Sequence, residues 1–458
     1  MAQSPRTTEV MDAIRQRIAA RALLPGERLP SIRRFAGVMA VSPSTVVEAY
    51  DRLVAEGLIR PRPGSGFYVA GGAPSIELRA PAPEAEREVD PLWVSRLSLD
   101  AGDRVAKPGC GWLPADWMPQ APTRRALREI ARGPDALLAE YGSSRGLPEL
   151  RRLLARHFAD EGLDSHPERI LLTGSASQAV DLICRWSLRA GDAVVLDDPC
   201  YFNFQALLRV YKVRILPVPM TPQGPDLAAF AEALAAHRPR LYITNSALHN
   251  PTGATLAAPV AHRLLTLAAT HDLTIVEDET FAALEPAPAP RLAVLDGLDR
   301  VIRIGSSSKT LSAAARCGYV AARAEVIEAL TDLQVATSFG GPSPISAALV
   351  HALLADGSYR KHLDTIRRRL GRARREAAAG LQDLGITPWL MPRGGFYLWC
   401  RLPDGRDAAE IARRARREDV VLAPGNVFSP ARRAPDFMRF NVTQMPPRAW
   451  EVLRRSLV

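Results

Sequence analysis

Lysine is scarce in this chain of 458 residues, which holds 59 lysines and arginines together. Four of these are lysine, at positions 107, 212, 309 and 361, and the other 55 are arginine. A guanidinium keeps its proton in proteins, whereas an ammonium group can lose it and become a nucleophile. A lysine retained in the stretch RIGSSSKTLSAAARCGYV, at Lys309, therefore indicates a site that must form an imine. Chance placement of a lysine in a loop is the alternative when Lys309 is taken alone.

Cysteine and long apolar runs are also scarce. The five cysteines form no C-x-x-C pair, which argues against a disulfide framework and against a zinc site. No run is long enough to span a bilayer, and the opening MAQSPRTTEV lacks the apolar segment of a signal peptide. We therefore expect a cytoplasmic protein with no metal site and no membrane contact. The net charge of +10 permits nucleic-acid binding without requiring it.

The order of sequence patterns predicts three regions. Residues 1–70 combine helical periodicity with turn signals, and residues 71–106 are rich in proline, alanine and charge, as a linker would be. From 107 to 458, the β-branched runs AVVLD, VRILPV, RLYIT, LTIVED and RVIRIG alternate with helix-like stretches. That alternation predicts an α/β domain with a mainly parallel sheet, and residues from about 359 to 458 predict a smaller α+β subdomain.

The N-terminal region has the pattern of a DNA-binding unit. TEVMDAIRQRIAA is amphipathic, and Ser31 and Ser42 are N-cap candidates for two further helices. Pro43 occupies the first helical position after Ser42, and Gly57 ends that helix. LIR and FYV flank the turn RPGSG and predict a hairpin. A helix–turn–helix followed by such a wing offers its second helix to the major groove.

The segment LLPGERLPSIRRFAGVMAVSPSTVVEAYDRLVAEGLIRPRPGSGFYV resembles the winged helix–turn–helix of the GntR family over nearly all its length. The resemblance implies that the unit binds a double-stranded DNA operator. The implied DNA contacts are Arg33, Ser44, Thr45, Arg62 and Gly64. Of these, Arg62 and Gly64 would lie at the wing, near the minor groove. The family usually has arginine directly after the serine at Ser42, and Pro43 stands there, so one contact is lost and the operator need not be the usual one. A helical oligomerisation module is the alternative.

Several stretches of the α/β region offer what a phosphorylated pyridine cofactor needs. The sequence GSAS, at 174–177, precedes a helix and can present backbone N–H groups to an anion. Tyr201 offers an aromatic face, Asn250 a neutral hydrogen-bond donor, and Asp278 a carboxylate for the ring nitrogen. Most follow predicted strands, where open α/β sheets bind ligands. Each has an ordinary reading as a turn, a core side chain or a solvated acid, but their joint occurrence in order favours a cofactor site.

The whole set resembles the fold type I enzymes of the aminotransferase class I/II group, from about Lys107 to the C-terminus. The resemblance implies pyridoxal 5'-phosphate (PLP) as cofactor, with Lys309 forming the internal aldimine. It also implies that Asp278 pairs with the pyridinium, Asn250 binds the ring oxygen and Tyr201 stacks on the ring. The residues implied for the phosphate are Ser175, Ala176, Ser177, Ser306, Ser308 and Arg316.

Two further residues match by the same resemblance. Tyr141 in YGSSRG matches the tyrosine that reaches the phosphate of the partner subunit's cofactor, which implies a homodimer. Arg439 in MRFNV matches the arginine that binds a substrate α-carboxylate, which implies an amine or amino-acid ligand. Phe281 departs from the pattern, because the group usually has a tyrosine there whose hydroxyl donates to the ring oxygen.

A GntR-type winged helix, a linker and an aminotransferase-like domain together resemble the MocR subfamily of bacterial regulators. The resemblance implies a PLP-dependent DNA-binding transcriptional regulator that senses PLP or an external aldimine of PLP with an amine or amino acid. One alternative is an active class I/II aminotransferase that carries a DNA-binding domain; Phe281 disfavours it but leaves residual transamination open. Another is a DNA-binding dimer whose large domain has lost PLP, which the intact Lys309 disfavours.

Overall fold

The computed structural model divides the chain into two compact units, Met1–Glu86 and Arg87–Val458. The residues it describes are 5–70, 89–102 and 104–457. Half of the predicted linker, residues 71–88, lies outside the described residues, so the predicted limits at 70 and 107 stay predictions. Within the described residues, no helix combines the length and apolarity needed to cross a membrane.

The first unit contains three helices and a hairpin, as predicted. Its elements are α1 (Pro5–Ala19), α2 (Ile32–Met39), α3 (Pro43–Ala55), β1 (Ile59–Arg62) and β2 (Gly66–Val69). Ser31 accepts a hydrogen bond from the backbone N–H of Arg34, and Ser42 accepts one from that of Thr45. Both predicted N-caps are therefore confirmed, and Pro43 opens α3. Tyr50 is fully buried in an apolar core that joins the helices to the hairpin.

The second unit alternates helices with strands. Its helices are α4 (Pro91–Asp100), α5 (Gln120–Ile130), α6 (Asp135–Ala139), α7 (Pro148–Asp160), α8 (Ala176–Ser187), α9 (Phe202–Val210), α10 (Leu227–His237), α11 (Ala258–Thr270), α12 (Leu292–Asp296), α13 (Ala324–Ser338), α14 (Pro344–Ala355), α15 (Ser358–Gln382), α16 (Ala408–Arg417) and α17 (Pro447–Ser456). Its strands are β3 (Ile170–Thr173), β4 (Ala193–Asp198), β5 (Arg214–Thr221), β6 (Gly224–Pro225), β7 (Leu241–Thr244), β8 (Thr274–Asp278), β9 (Val301–Ser306), β10 (Gly318–Ala321), β11 (Thr387–Pro388), β12 (Tyr397–Arg401), β13 (Ala423–Pro424) and β14 (Phe437–Asn441).

Eight of these strands form one sheet in the order β3-β10-β9-β8-β7-β4-β5-β6. The pairs β4–β5, β4–β7, β7–β8 and β8–β9 are parallel, whereas β10 runs antiparallel to both of its neighbours. Strands β3, β4 and β7 are buried at every position, as expected for a sheet covered on both faces. The predicted mainly parallel sheet is confirmed, and all five predicted strand runs lie in it.

The remaining strands form a four-stranded antiparallel sheet in the order β11-β12-β14-β13. Helices α15, α16 and α17 share an apolar core with this sheet, so the predicted α+β subdomain near the C-terminus is confirmed. Helix α4 lies in the range that we predict to be a linker. Its Val94 is buried with Phe202 and Phe428, so this part of the range is a folded part of the second unit.

Candidate cofactor site and DNA-binding surface

Lys309 lies in a short helical turn, Ser307–Lys309, directly after β9. Its Nζ donates a 2.7 Å hydrogen bond to the carbonyl oxygen of Gly111 and lies 6.0 Å from the ring centre of Phe281. Removal from water, followed by the positive charge of Arg439, lowers the pKa of Lys309 to about 8. The amine is therefore much easier to deprotonate than that of an ordinary lysine, as a nucleophilic lysine requires.

Asp278 ends β8, the strand beside β9, and its side chain is buried. Oδ1 accepts hydrogen bonds from the backbone N–H of Thr280 at 2.9 Å and from the Thr280 hydroxyl at 2.5 Å. Burial raises the pKa of Asp278, and the hydrogen bonds from Thr280 act in the opposite direction. The carboxylate is thus held in one orientation in a water-poor site, where a cationic partner would stabilise its charge strongly.

Asn250 and Arg439 form one hydrogen-bonded pair. Asn250 follows β7, and its Oδ1 accepts a 2.8 Å hydrogen bond from Nη1 of Arg439 on β14. Because the oxygen of the amide is committed to Arg439, its NH₂ group remains as the donor. Nη2 of Arg439 donates to the carbonyl oxygen of Gly109 at 2.8 Å, and its buried Nε has no hydrogen-bond partner among the described residues. The pair therefore offers an amide donor and an unpaired guanidinium N–H.

Tyr201 is partly buried at the start of α9, and its hydroxyl accepts a 2.8 Å hydrogen bond from Nδ2 of Asn203. Burial raises the pKa of Tyr201, whereas the charge of Arg439 lowers it. Arg439, Asp278 and Arg316 influence the pKa of Tyr201 and also that of Lys309. These predicted site residues therefore lie within electrostatic reach of one another.

The predicted phosphate cradle lies where α8 begins. Ser175 is the N-cap residue, and its Oγ accepts a 3.0 Å hydrogen bond from the backbone N–H of Gln178. Gly318 of β10 runs close to this turn, because a Cβ at Gly318 would lie 2.8 Å from the carbonyl carbon of Ser175 and 2.9 Å from the nitrogen of Ala176. Exposed Arg316 makes no hydrogen bond or ion pair with the described residues. A helix N-terminus and an uncommitted arginine two residues from Gly318 are both suited to a phosphate.

The other predicted residues differ in their surroundings. Ser306 donates to the carbonyl oxygen of Cys317 at 3.2 Å and accepts from the backbone N–H of Ser308, so it ties the Lys309 turn to β10. Ser177 is exposed in the first turn of α8. Tyr141 is 81% exposed and packs edge-on against Phe339, so within one chain it is not gathered into the Lys309 group.

Sequence reasoning missed the backbone that surrounds Lys309. The carbonyl groups of Gly109 and Gly111 bind Arg439 and Lys309, and both lie in the stretch KPGCGW. Tyr397 also contributes, because the guanidinium of Arg439 lies 4.1 Å from its ring centre. The two glycines around Cys110 were the available signal, since a Cβ at Gly109 would lie 2.5 Å from the carbonyl carbon of Leu422. Glycine is required there by close approach of two backbones.

These residues fit PLP by their chemistry. Lys309 supplies an amine of lowered pKa, Asp278 a buried carboxylate, Asn250 an amide donor and Tyr201 an aromatic ring. The turn before α8 and Arg316 supply donors for an anion. This donor set corresponds to the aldehyde, ring nitrogen, ring oxygen, ring face and phosphate of the cofactor.

The predicted DNA contacts lie on the surface of the first unit. Arg33 is exposed on α2 and makes no ion pair with the part of the chain that the structure describes. Ser44 and Thr45 lie in the first turn of α3, and their hydroxyl oxygens both lie 2.8 Å from Oγ of Ser42. In the hairpin, the guanidinium of Arg62 lies 4.3 Å from the ring centre of Tyr68. Gly64 forms the turn with φ 71°, a conformation that favours glycine.

Comparison with known proteins identifies both parts of the chain. Residues 114–457 match the family of class I and II aminotransferases, and residues 6–69 match the gntR family of bacterial regulatory proteins. The uncharacterized HTH-type transcriptional regulator YdcR of Escherichia coli is 29% identical over 446 residues, which cover 94% of each chain. The 2-aminoadipate transaminase of Thermus thermophilus is 31% identical over 327 residues, which cover 69% of this chain and 80% of that one.

A solved structure supports the same assignment. LysN, the α-aminoadipate aminotransferase of Thermus thermophilus, was crystallised with N-(5'-phosphopyridoxyl)-L-leucine; it is 27% identical and matches with a TM-score of 0.72. The match covers 80% of this chain and 93% of that one. This chain belongs to the aminotransferase class I and II family and carries before that domain a helix–turn–helix domain of the GntR family, the combination that the resemblance to the MocR subfamily predicts.

Proposed function

We propose that the chain is a PLP-dependent DNA-binding transcriptional regulator of the MocR type, which responds to PLP or to an amine or amino acid bound with it. The observation that carries the proposal is the low-pKa amine of Lys309, grouped with Asp278 and Arg439 in a chain that also holds a winged helix. A catalyst has no need of a DNA-reading domain, whereas a sensor must join a ligand site to an output.

The residues of the site divide the work of holding the ligands. When bound, PLP supplies an aldehyde that bonds to amines and a ring that withdraws electrons. Lys309 is the amine for attachment, and Asp278 keeps a proton on the ring nitrogen. Asn250 donates to the ring oxygen, and Tyr201 covers one face of the ring. The phosphate is held by Ser175, Ala176, Ser177, Ser306, Ser308 and Arg316.

Arg439 is the residue for recognising an effector. Its Nε has no hydrogen-bond partner among the described residues and is buried, so an effector carboxylate would relieve the cost of that unpaired donor. The effector is accordingly a small amine that carries a carboxylate. Binding can change DNA affinity only if the effector favours one of two conformations of the protein.

The active form is a homodimer in this proposal. Tyr141 and Phe339 are 81% and 66% exposed and pack against each other, so together they form an apolar aromatic surface that a partner can cover. A second copy covering this pair would bury them and bring Tyr141 to the phosphate of its partner's cofactor. Two winged helices would then bind two half-sites of one operator.

An active aminotransferase is the second candidate. It is favoured by the arrangement of Lys309, Asp278, Asn250 and Arg439, and by the 31% identity to a 2-aminoadipate transaminase. Phe281 disfavours an active aminotransferase, because a phenyl ring cannot donate a hydrogen bond to the ring oxygen of the cofactor. We place the regulator first for this reason and because of the N-terminal domain.

The test is the absorption spectrum of the full-length protein with and without added PLP. We expect a visible band in the wild type and in Lys212→Ala, whose lysine lies elsewhere, and no band in Lys309→Ala. Binding to a DNA fragment from the promoter of the protein's own gene, measured without ligand, with PLP and with PLP plus amino acids, would then show whether these ligands change DNA affinity. A wild type that develops no band in excess PLP would overturn the cofactor proposal, and rapid transamination without any DNA binding would favour the enzyme.

A further inference from the structure

A cavity lies in the large unit, apart from the side chain of Lys309. It has a volume of about 840 Å³, and its walls come from α7, from residues 279–295, from the turn after β9 and from the start of α15. Ser306 and Ser307 line it, so it borders the same turn that carries Lys309. A cavity of this size suits a small molecule.

The interior of this cavity holds charged groups whose hydrogen bonds are incomplete. Arg303 is buried under the ring of Phe158, and its Nη2 donates to Glu279 at 2.7 Å and to Glu161 at 2.5 Å. Nε and Nη1 of Arg303 and Oε1 of Glu279 make no hydrogen bond of standard geometry with the described residues, although the hydroxyl of Tyr319 lies close enough to Arg303 for its pKa to be affected. Buried polar groups of this kind are costly to leave unpaired, so they indicate a missing partner.

The outer part of the cavity is basic. Arg360 and Arg367 line it together with the exposed acids Asp160 and Glu161, and Glu161 is already paired with Arg303. Exposed Arg360 makes no ion pair or hydrogen bond with residues that the structure describes. A shallower depression of about 690 Å³ shares these two arginines and adds Lys361 and Arg368, against one acid, Asp364. An opening with this excess of positive charge attracts small anions and repels cations.

We propose that this cavity is a binding site for a small dicarboxylate. One carboxylate lies at the inner end beside buried Arg303, whose guanidinium must turn an unpaired N–H group into the cavity to bind it, and the other lies against Arg360 and Arg367 nearer the solvent. Arginine suits carboxylates through its planar array of donors, and the same arginines exclude a metal cation. The site does not depend on cofactor attachment at Lys309, so it stands apart from the function proposed above.

Glu279 is compatible with an anion in this cavity. Burial raises the pKa of Glu279 to about 8, although the charge of Arg303 opposes the shift. Burial thus favours the protonated form of Glu279, in which Oε1 donates a hydrogen bond, whereas the arginines beside it favour the carboxylate. A bound carboxylate would complete the hydrogen bonds of both Glu279 and Arg303 at once.

Calorimetric titration of the full-length protein with succinate tests the proposal. We expect one succinate site per chain in the wild type and at least fivefold weaker binding in Arg360→Gln, since that variant loses an arginine at the opening. Arg372→Gln is the matched control, because Arg372 is on the same helix outside the cavity, and it should bind as the wild type does. Acetate should bind more weakly than succinate because it can reach only one end.

Two further arms separate this site from the alternatives. Arg439→Gln shows which site the succinate occupies: if it weakens succinate binding more than Arg360→Gln does, the carboxylate occupies the Lys309 site and the proposal is overturned. Inorganic phosphate that binds more tightly than succinate would overturn the choice of a carboxylate. Equal affinity in Arg360→Gln and the wild type, or no saturable heat with any probe, would likewise overturn it.

Discussion

Nη1 of Arg439 donates a 2.8 Å hydrogen bond to Oδ1 of Asn250, across 189 positions of the chain. Asn250 follows a strand of the large sheet and Arg439 lies on the small antiparallel sheet, so one bond links the two layers at the candidate site. Both side chains are buried. Because this bond fixes which way the amide of Asn250 faces, a substitution of Arg439 must alter the orientation of that amide.

We therefore expect Arg439→Gln to weaken PLP binding as well as any response to amino acids. The variant loses the bonds to Asn250 and to the carbonyl oxygen of Gly109, and unpaired buried groups cost about 1–3 kcal/mol each. Denaturant unfolding and PLP titration measure the two effects. Arg401→Gln, an exposed arginine of the same small sheet, should change unfolding by no more than about 0.5 kcal/mol. Unaltered PLP affinity in Arg439→Gln would contradict the link.

Attachment of PLP to Lys309 should accelerate as the pH rises. The pKa of Lys309 is lowered to about 8, so the reactive neutral amine is the minor form at pH 7 and the major form at pH 9. The neutral fraction, and with it the initial rate of the absorbance change, should grow roughly tenfold over that range. Stopped-flow absorbance after mixing with PLP measures the rate. Because Arg439 helps to lower this pKa, Arg439→Gln should move the profile to higher pH, and a flat profile would contradict the prediction.

Local sequence patterns predicted much of the fold, but contacts between residues far apart in the chain could not be predicted. Ser31 and Ser42 were readable as N-caps because the cap and the N–H that it binds lie within three residues. The bond from Lys309 to Gly111 spans 198 positions and follows no periodic pattern, so no local rule could find it. The charged group around Arg303 escaped for the same reason. Helix α4 was not predicted, because it has few buried residues and these are covered only by distant parts of the second unit.

Phe281→Tyr should bring the site closer to that of an aminotransferase. Phe281 is buried near the amine of Lys309, and a tyrosine there would place a hydroxyl at the position where the family supplies a donor to the ring oxygen. We expect tighter PLP binding and a measurable rise in amino-group transfer to a keto acid. Single-turnover spectra with excess amino acid measure the transfer. Phe428→Tyr is a control with an equally buried ring near Arg439, and it should bring no gain.

Arg33 should contribute to DNA binding in a salt-dependent way. It is exposed on α2 without an ion pair in the described part of the chain, whereas Arg15 is already paired with Asp12 and Glu56. Arg33→Gln should weaken binding to the promoter fragment by about 1–3 kcal/mol if it reads a base, or lower the salt slope by about one if it binds a phosphate. Arg15→Gln should bind DNA as the wild type does. Fluorescence anisotropy at several salt concentrations distinguishes these outcomes.

Gly318→Ala should damage the phosphate cradle without entering the site. The added methyl group would lie 2.8 Å from the carbonyl carbon of Ser175 and 2.9 Å from the carbonyl oxygen of Gly305, and backbone atoms cannot yield as a flexible side chain does. Overpacking of this kind costs about 1–3 kcal/mol of stability. We expect PLP affinity to fall at least tenfold, the equivalent of about 1.4 kcal/mol, because the turn before α8 must shift.

Gly371→Ala provides the matched comparison for Gly318→Ala. Gly371 lies within α15, where the nearest atom to an added methyl group is Nη1 of Arg375 at 3.8 Å, so nothing has to move. Alanine inside a helix should raise the free energy of unfolding by about 0.5–1 kcal/mol and leave PLP affinity unchanged. Equal PLP affinity in both variants, measured by titrating the visible absorbance, would mean that the phosphate does not bind at the turn before α8. The cofactor would then have to be held by Lys309 and Asp278 without the predicted cradle.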